Sequence, residues 1–593
     1  MKTGRIAILI GFAALVTVMN AWKPAVVDDT AYLAFAQHLA ENPSDPYGGV
    51  LFWYAYPQPT QEILLPPVLP YWLSLGIGLF GMNLFLLKLS LFPFLLLLAI
   101  SLEWLFCRFA PGVSGWAVPG VLFGPAVLPM VNVMLDIPAL ALGLTAIAIF
   151  IHGAEGRNVG IWLVAGILTG LAAQTKYTML TVPGVILAYA VCHRTGKAAF
   201  VTLITALLVF VGWEVWVTIK YDVGHFLYHF SEQRNYQESQ LLALSPNPNG
   251  MDRLKFLIQS KWPLFQPMLG YLGWLGIGAG AMAAAGLGMR SRGLLRLAVT
   301  AFIGFAAVGV TPYSQGILVR GAQLGSVKLE LSTAVFVTLG TVTAILTLAA
   351  SVTLFRWRSP RSTDQVSHGQ ERRDSLFLIL WLLVEIAGYF ALTPFPAGRR
   401  VMAMAVVGTL VAARRVWLRD PSHASVRRAV TVACGTAMLA GTLLFAWDFW
   451  DALPERAAAD WAEKRILLER AKLGGEVGRV WFNGHWGFQH YCEAAGMYPV
   501  IPEQSRLMPG DWLVFPELPD DFGFYRPYHG GAKFAIDPRS ALRVDRWTWE
   551  DLLAGQTIPA LYGGRVPMTG RDHPRLTVGL YRIVRPWIPT SAP

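Results

Sequence analysis

Charge and cysteine are what this 593-residue sequence has least of. Only 14% of its residues are Asp, Glu, Lys or Arg, 54% are hydrophobic, and mean hydropathy is +0.46. A chain of this length with so little charge cannot cover itself with polar surface, which excludes a water-soluble protein. The four cysteines comprise Cys107, Cys192 and Cys434, in or beside apolar runs, and Cys492, isolated toward the C-terminal end; they offer neither a disulfide framework nor a cysteine-based metal site. Also missing are a phosphate-binding G-x-x-x-x-G-K-[ST] loop, a dinucleotide fingerprint and a G-x-S-x-G elbow, which argues against an ATP-driven pump and an α/β-hydrolase. The sequence has no internal repeat of the kind many transporters carry, and no low-complexity tract beyond the short linker S-P-R-S-T-D-Q-V-S-H-G-Q.

What is present is a succession of apolar runs long enough to cross about 30 Å of hydrocarbon, recurring to about residue 447 and then stopping. The expected fold class is therefore an α-helical polytopic membrane protein with a C-terminal soluble α/β domain, divided into residues 1–447 and 448–593. The formal charge of +11 does not indicate a nucleic-acid partner: from Asp448 onward there are 17 basic and 18 acidic residues, so the excess lies in the membrane half. There it gathers in short clusters between apolar runs, such as Arg194 with Lys197, Arg290 with Arg292 and Arg296, and Arg414 through Arg428. Loops of this kind mark the cytoplasmic side.

Placing all these clusters on one side fixes a parity. Residues 6 to 22 read as an uncleaved first span, because V-M-N-A-W-K is a poor signal-peptide cleavage site. An odd number of crossings must then separate the loop after it from Arg108, so P-P-V-L-P-Y-W-L-S-L-G-I-G-L-F-G is expected to be a membrane-surface or re-entrant helix and 85–106 a span. Further spans are expected at 116–135, 137–152, 160–175, 178–193, 199–219, 268–289, 295–313, 331–355, 375–394, 401–418 and 429–447. That makes about 13 crossings, with the N-terminus cytoplasmic and the tail extracytoplasmic. In the tail, a helix is expected over Pro454 to Leu473 and another over Phe488 to Gly496, with strands in G-R-V-W-F, D-W-L-V-F and L-T-V-G-L-Y-R-I-V.

This topology collects the polar residues that charge placement does not explain on one face. Foremost is the pair Asp28-Asp29, emerging directly after the first span and before the amphipathic stretch T-A-Y-L-A-F-A-Q-H-L-A. One aspartate suits a helix N-cap. Two at a membrane exit point to a site in which a carboxylate takes a proton from an acceptor hydroxyl or the pair holds a divalent cation. Asp136, in N-V-M-L-D-I-P, has a cap and a substrate contact as its alternatives. Lys176 and Tyr177 lie in A-A-Q-T-K-Y-T-M-L, where nothing nearby calls for a charge; the lysine either snorkels to the interface or neutralises a phosphate. Arg399-Arg400 follow F-P-A-G on the outer face, against the charge rule, and fit a phosphate or a lipid headgroup. The loop H-F-L-Y-H-F-S-E-Q-R-N-Y offers His225, His229, Glu232 and Arg234, with a zinc site disfavoured for want of a fixed third ligand. His485, Trp486 and His490 surround a strand-to-helix turn in the tail and read as packing or substrate contacts.

The order of these motifs resembles the GT-C superfamily of membrane glycosyltransferases, in particular bacterial proteins related to protein O-mannosyltransferases and to the lipid A aminoarabinose transferase. The resemblance is carried by Asp28-Asp29 with the following helix, then P-P-V-L-P-Y-W and L-F-G-M-N, then M-L-D-I-P, then Q-T-K-Y, and finally G-H-W-G-F-Q-H-Y-C-E-A-A-G-M and P-G-D-W-L-V-F. It implies transfer of a sugar, usually with inversion, from a polyprenyl-phosphate carrier to a hydroxyl of a lipid, polysaccharide or protein acceptor at the outer face of a bacterial inner membrane. Asp28 or Asp29 would be the general base, Lys176 the phosphate-proximal lysine, and Arg399 and Arg400 further substrate contacts. The sequence departs from the pattern in having Asp-Asp where many relatives have Asp-Glu, and Tyr177 where glycine often follows the lysine. The competing expectation is a transporter or flippase for a lipid-linked or anionic solute, which would place its polar groups near the midplane of the spans.

Overall fold

The computed structural model describes residues 3–246, 248–289, 291–309, 322–324, 327–329, 331–356, 365–419, 424–474, 478–517, 532–549, 555–562, 566–567, 569–570 and 576–591. It is a multi-pass helical membrane protein with a mixed sheet near its C-terminal end. By length and composition, seven helices among the described residues can cross a membrane: Thr3–Ala21, Leu84–Phe109, Asp136–Gly156, Gly196–Tyr221, Thr333–Arg356, Gly369–Leu392 and Val426–Lys472. An eighth is the pair Gly250–Leu275 and Ile277–Leu287 if taken as one span bent by 76°; Val68–Phe80, Val159–Thr175 and Tyr177–His193 are shorter apolar helices.

Most expected spans coincide with helices, because runs of Leu, Ala, Val and Ile favour them and punctuation sets their ends. Asn83 and Asn158 cap their helices by accepting from the amides three residues on. Arg157 and Arg194 close theirs in left-handed conformations, with φ of 52° and 57°. Val68–Phe80 is too short to span, and its Leu75, Leu79 and Phe80 are exposed, in keeping with a helix at the membrane surface.

The run 116–135 is different from what its hydropathy suggests. Helix Ser114–Leu122 stops after Pro119, and residues 123–135 continue irregularly through a 3-10 turn at Leu128–Met130. Gly124-Pro125 and Pro129 interrupt the helical hydrogen-bond ladder. Such backbone survives in a membrane protein only when protein surrounds it, and every residue from Ala117 to Ala148 is buried. The bend at Gly276 likewise divides the span expected over 268–289. Of the outer segment Ser314 to Glu330, all but the hairpin Ala322–Leu324 and Val327–Leu329 lies outside the described residues.

The last span and the first tail helix are one continuous 49-residue helix, Ala424–Lys472, with Pro454 inside it. It carries a five-stranded sheet ordered Tyr498–Pro499, Val480–Phe482, Trp512–Glu517, Leu576–Ile583 and Ala541–Trp549, parallel around Val480–Phe482 and antiparallel beyond. The three strands expected from sequence are all present, and helix Trp486–Ala494 lies on the sheet with Ala458, Ala462 and Ile466 of the long helix.

Glycine permits the closest helix contact. A Cβ on Gly340 would lie 1.6 Å from Leu269 O, and one on Gly273 would lie 1.8 Å from Phe336 O, so helices Gly250–Leu275 and Leu331–Arg356 touch backbone to backbone. Gly340→Ala is expected to force them apart at a cost of about 1–3 kcal/mol, read as a lower midpoint of thermal unfolding in detergent. Gly435→Ala, whose Cβ meets nothing within 4 Å, is expected to leave the midpoint unchanged.

Candidate active site

The acidic pair sits on a constrained turn. Val27, just before it, has φ 45°, a conformation rarely adopted by a β-branched residue. Asp28 occupies the N-cap position of helix Asp29–Glu41, yet neither aspartate caps the helix: Asp28 makes no side-chain cap bond, and Asp29 accepts instead from the amide of Val26 at 3.2 Å, outside the helix. The two side chains diverge. Asp28 is partly open and accepts from Arg399 Nη1 at 3.0 Å. Asp29 is fully buried, with Lys88 Nζ 3.7 Å from its Oδ2 and, among the described residues, no hydrogen-bond partner for Oδ1. Burial pushes its carboxyl up to about 6, against the pull of Lys88.

Three cations and a third carboxylate complete the cluster. Lys176, in extended conformation at the C-terminus of helix Val159–Thr175, donates to Asp136 Oδ1 at the start of helix Asp136–Gly156. Arg399, in the turn Gly398–Arg400, reaches Asp28 and lies 4.0 Å from Asp136, with its guanidinium 4.9 Å from the ring centre of Tyr562. Burial opposes the Arg399 charge, but Asp28 and Asp136 more than offset it and hold the group above its ordinary value. Arg400 stacks on Phe395 at 4.3 Å; burial and the neighbouring Arg399 bring it down to about 10. Burial also lowers Lys176, with Asp136 opposing. The Nε of Arg400 has no hydrogen-bond partner among the described residues. A buried, under-neutralised cation of this kind favours an anion beside it.

Asp28, Asp136, Lys176, Arg399 and Arg400 open into one cavity of about 1160 Å³. Of the residues singled out from sequence, Asp28, Asp136, Lys176, Tyr177, His229, Glu232, Arg234, Arg399, Arg400 and Trp486 line it. Asp29 is not among the lining residues. His225 lies behind Tyr177, bonded to its hydroxyl at 2.6 Å, and His485 is buried against Trp53 and Tyr54 and bonded to Gln489. Sequence reasoning missed Tyr32, Tyr54, Glu62, Lys261 and Tyr562, which also line the cavity. Nothing local marks them, since the fold alone brings Tyr562 beside Arg399. In the structure, Val27, Tyr54 and Trp486 have φ of 45°, 59° and 61°, and all three line this cavity, a strain that the sequence does not display.

The tail closes the site from above. Thr30 donates to the carbonyl of Trp486 at 2.6 Å, the amide of Ala25 donates to Tyr491 Oη, and a Cβ on Gly487 would lie 2.4 Å from Ala25 O. The cation considered for the acidic pair finds no ready donor set: the two aspartates facing the cavity both lie within ion-pair reach of Arg399, and among the described residues no group of three or more His, Cys, Asp or Glu side chains converges.

The arrangement defines a membrane protein in which the carboxylates of Asp28 and Asp136 and the cations of Lys176, Arg399 and Arg400 share a largely apolar chamber. No family model matches the chain, and no curated protein matches it. Similar solved structures include the oligosaccharyltransferase of Archaeoglobus fulgidus in its apo form, at 13% identity and a TM-score of 0.47, over 84% of this chain and 64% of that one. Another is ArnT from Cupriavidus metallidurans bound to undecaprenyl phosphate, at 14% identity and a TM-score of 0.40, over 87% and 93%. This chain spans 64% of the length of the archaeal protein.

The buried histidines make stability depend on pH. Burial lowers His225 to about 3 and His485 to about 4, so their stabilising neutral state is intact above the unfolded value near 6.5 and is lost as pH falls toward the folded values. At pH 5 each should cost about 2 kcal/mol, while Asp29, shifted the other way, returns about 1 kcal/mol between pH 7 and 5. A lower thermal midpoint at pH 5 than at pH 7 is expected, with the difference reduced in His225→Gln and His485→Gln.

Proposed function

We propose that this protein is an inverting glycosyltransferase that moves a sugar from a polyprenyl-phosphate donor to a hydroxyl acceptor at the outer membrane face. The observation that carries the reading is the shared chamber, in which the Asp28 carboxylate faces the same space as Lys176, Arg399 and Arg400. A prenyl phosphate is already a good leaving group, so the reaction needs an aligned acceptor oxygen, removal of its proton and stabilisation of the departing phosphate. A chamber of this size with mainly apolar walls suits a lipid-linked substrate. The absence of nucleotide-binding motifs from the sequence agrees with such a donor.

In this reading Asp28 is the base. It takes the acceptor proton as the acceptor oxygen bonds to the anomeric carbon and the carbon–phosphate oxygen bond breaks, its electron pair leaving with the polyprenyl phosphate. Asp29 cannot serve in this way from its buried position. Lys176 and Arg400 meet the phosphate, Arg399 orients Asp28, and Asp136 holds Lys176 in place. Tyr177 and Arg234, farther along the wall, contact the sugar or its acceptor.

The test is transfer from radiolabelled polyprenyl-phosphate sugars to membrane acceptors by the purified protein. Asp28→Asn is expected to lower kcat by about 10²–10⁴-fold, while Arg400→Met mainly raises KM for the donor. Transfer that survives Asp28→Asn, or solute uptake into proteoliposomes without transfer, would contradict the proposal.

A further inference from the structure

The fully buried Lys88 lies outside the chamber, yet its ammonium is committed wholly to the acidic turn. It donates to the carbonyls of Lys23 at 2.6 Å and Pro24 at 3.0 Å, and lies 3.7 Å from Asp29 Oδ2. Two of the three donors of the ammonium are bonded to residues 23 and 24, and its charge faces Asp29. Lys23 continues the network: its own buried ammonium donates to Asp448 Oδ2 at 2.7 Å and to Pro129 O at 2.9 Å.

The far end of this network returns to the site. Asp448 accepts from the hydroxyl of Thr557 at 3.3 Å, and Asp451 accepts from the amides of Thr557 and Ile558 at 3.1 and 2.8 Å. Those bonds pin the short helix Ile558–Tyr562, whose Tyr562 packs against Arg399, the partner of Asp28. Both members of the Asp28–Arg399 pair are thus tied to one buried set of charges, one through the backbone of the turn and the other through an aromatic ring. A strained Val27 persists only where its surroundings over-determine it, and the bonds from Lys88 to the carbonyls three and four residues upstream supply that constraint.

We propose that Lys88 is a positioning residue for the reaction: by fixing Lys23 O, Pro24 O and Asp29, it holds the turn that aims Asp28 into the chamber. This rests on the glycosyl-transfer reading, and on Asp28 as its base. Lys88 touches neither the chamber nor the phosphate-binding cations. Its loss should therefore act on turnover and spare carrier binding, whereas a role in general packing would affect both.

The experiment compares wild type, Lys88→Met, Lys88→Arg and the charge-neutral double variant Lys88→Met/Asp29→Asn. Lys88→Met is expected to lower kcat at least 100-fold with the dissociation constant for undecaprenyl phosphate changed less than threefold. The double variant removes the uncompensated buried carboxylate, so it should regain thermal stability but not kcat, because the two carbonyls still lack their donor. Recovery of the rate together with stability, or parallel losses of binding and rate, would overturn the proposal.

A second readout is independent of activity. In a Cys107→Ser background, a thiol reagent should label Asp28→Cys at least tenfold more slowly when Lys88→Met or the double substitution is added. Unchanged labelling would also overturn the proposal. Absence of transfer in wild type, by contrast, would refute the glycosyl-transfer reading and leave the labelling result to decide whether Lys88 orients the turn.

Discussion

The ion pair between Asp28 and Arg399 joins residues 371 positions apart, and the rest of the site is arranged around it. One partner stands on the turn after the first span, the other on a turn between two late helices. Around them, Lys176 is tied to Asp136, Tyr562 packs on Arg399, and Arg400 is left with little to neutralise it. Isolated charges at such depth would be prohibitively expensive. Most are therefore paired, and among these five groups the excess is positive, with two carboxylates facing three cations.

Burial divides the work of two neighbouring carboxylates. Asp28 and Asp29 are chemically identical and adjacent, but the turn sends one into the chamber and the other into the protein, where it meets Lys88 and a backbone amide. The same partition recurs at Lys23 and Asp448, a wholly buried pair joining the first loop to the long helix that carries the sheet. Removing one member of such a pair strands the other. The network ties the turn of the acidic pair to the long helix and, through Thr557 and Ile558, to the tail.

Much of this architecture was readable from sequence because its signals are local. Apolar runs marked most helices, the short strand-like runs D-W-L-V-F and L-T-V-G-L-Y-R-I-V marked strands, and Asp28, Asp136, Lys176, Arg399 and Arg400 stood out as charges that topology did not require. The failures arose where hydropathy is blind to backbone geometry. Residues 116–135 are apolar enough to span, but their prolines and glycines break the helix, and surrounding protein makes the irregular path tolerable. Hydropathy also stopped one element near residue 447 where the helix runs on. The roles of Tyr562 and Lys88 were invisible because each depends on contacts with residues far away in sequence.

On the proposed reading, the chamber holds the phosphate of a polyprenyl carrier against Lys176 and Arg400, within reach of Asp28. An experimental structure of the protein with undecaprenyl phosphate tests this most directly. Phosphate density is expected within hydrogen-bond distance of Lys176 Nζ and the Arg400 guanidinium, with the prenyl chain leaving along the apolar wall. A phosphate bound away from these cations, or a carrier that leaves the chamber empty, would contradict it.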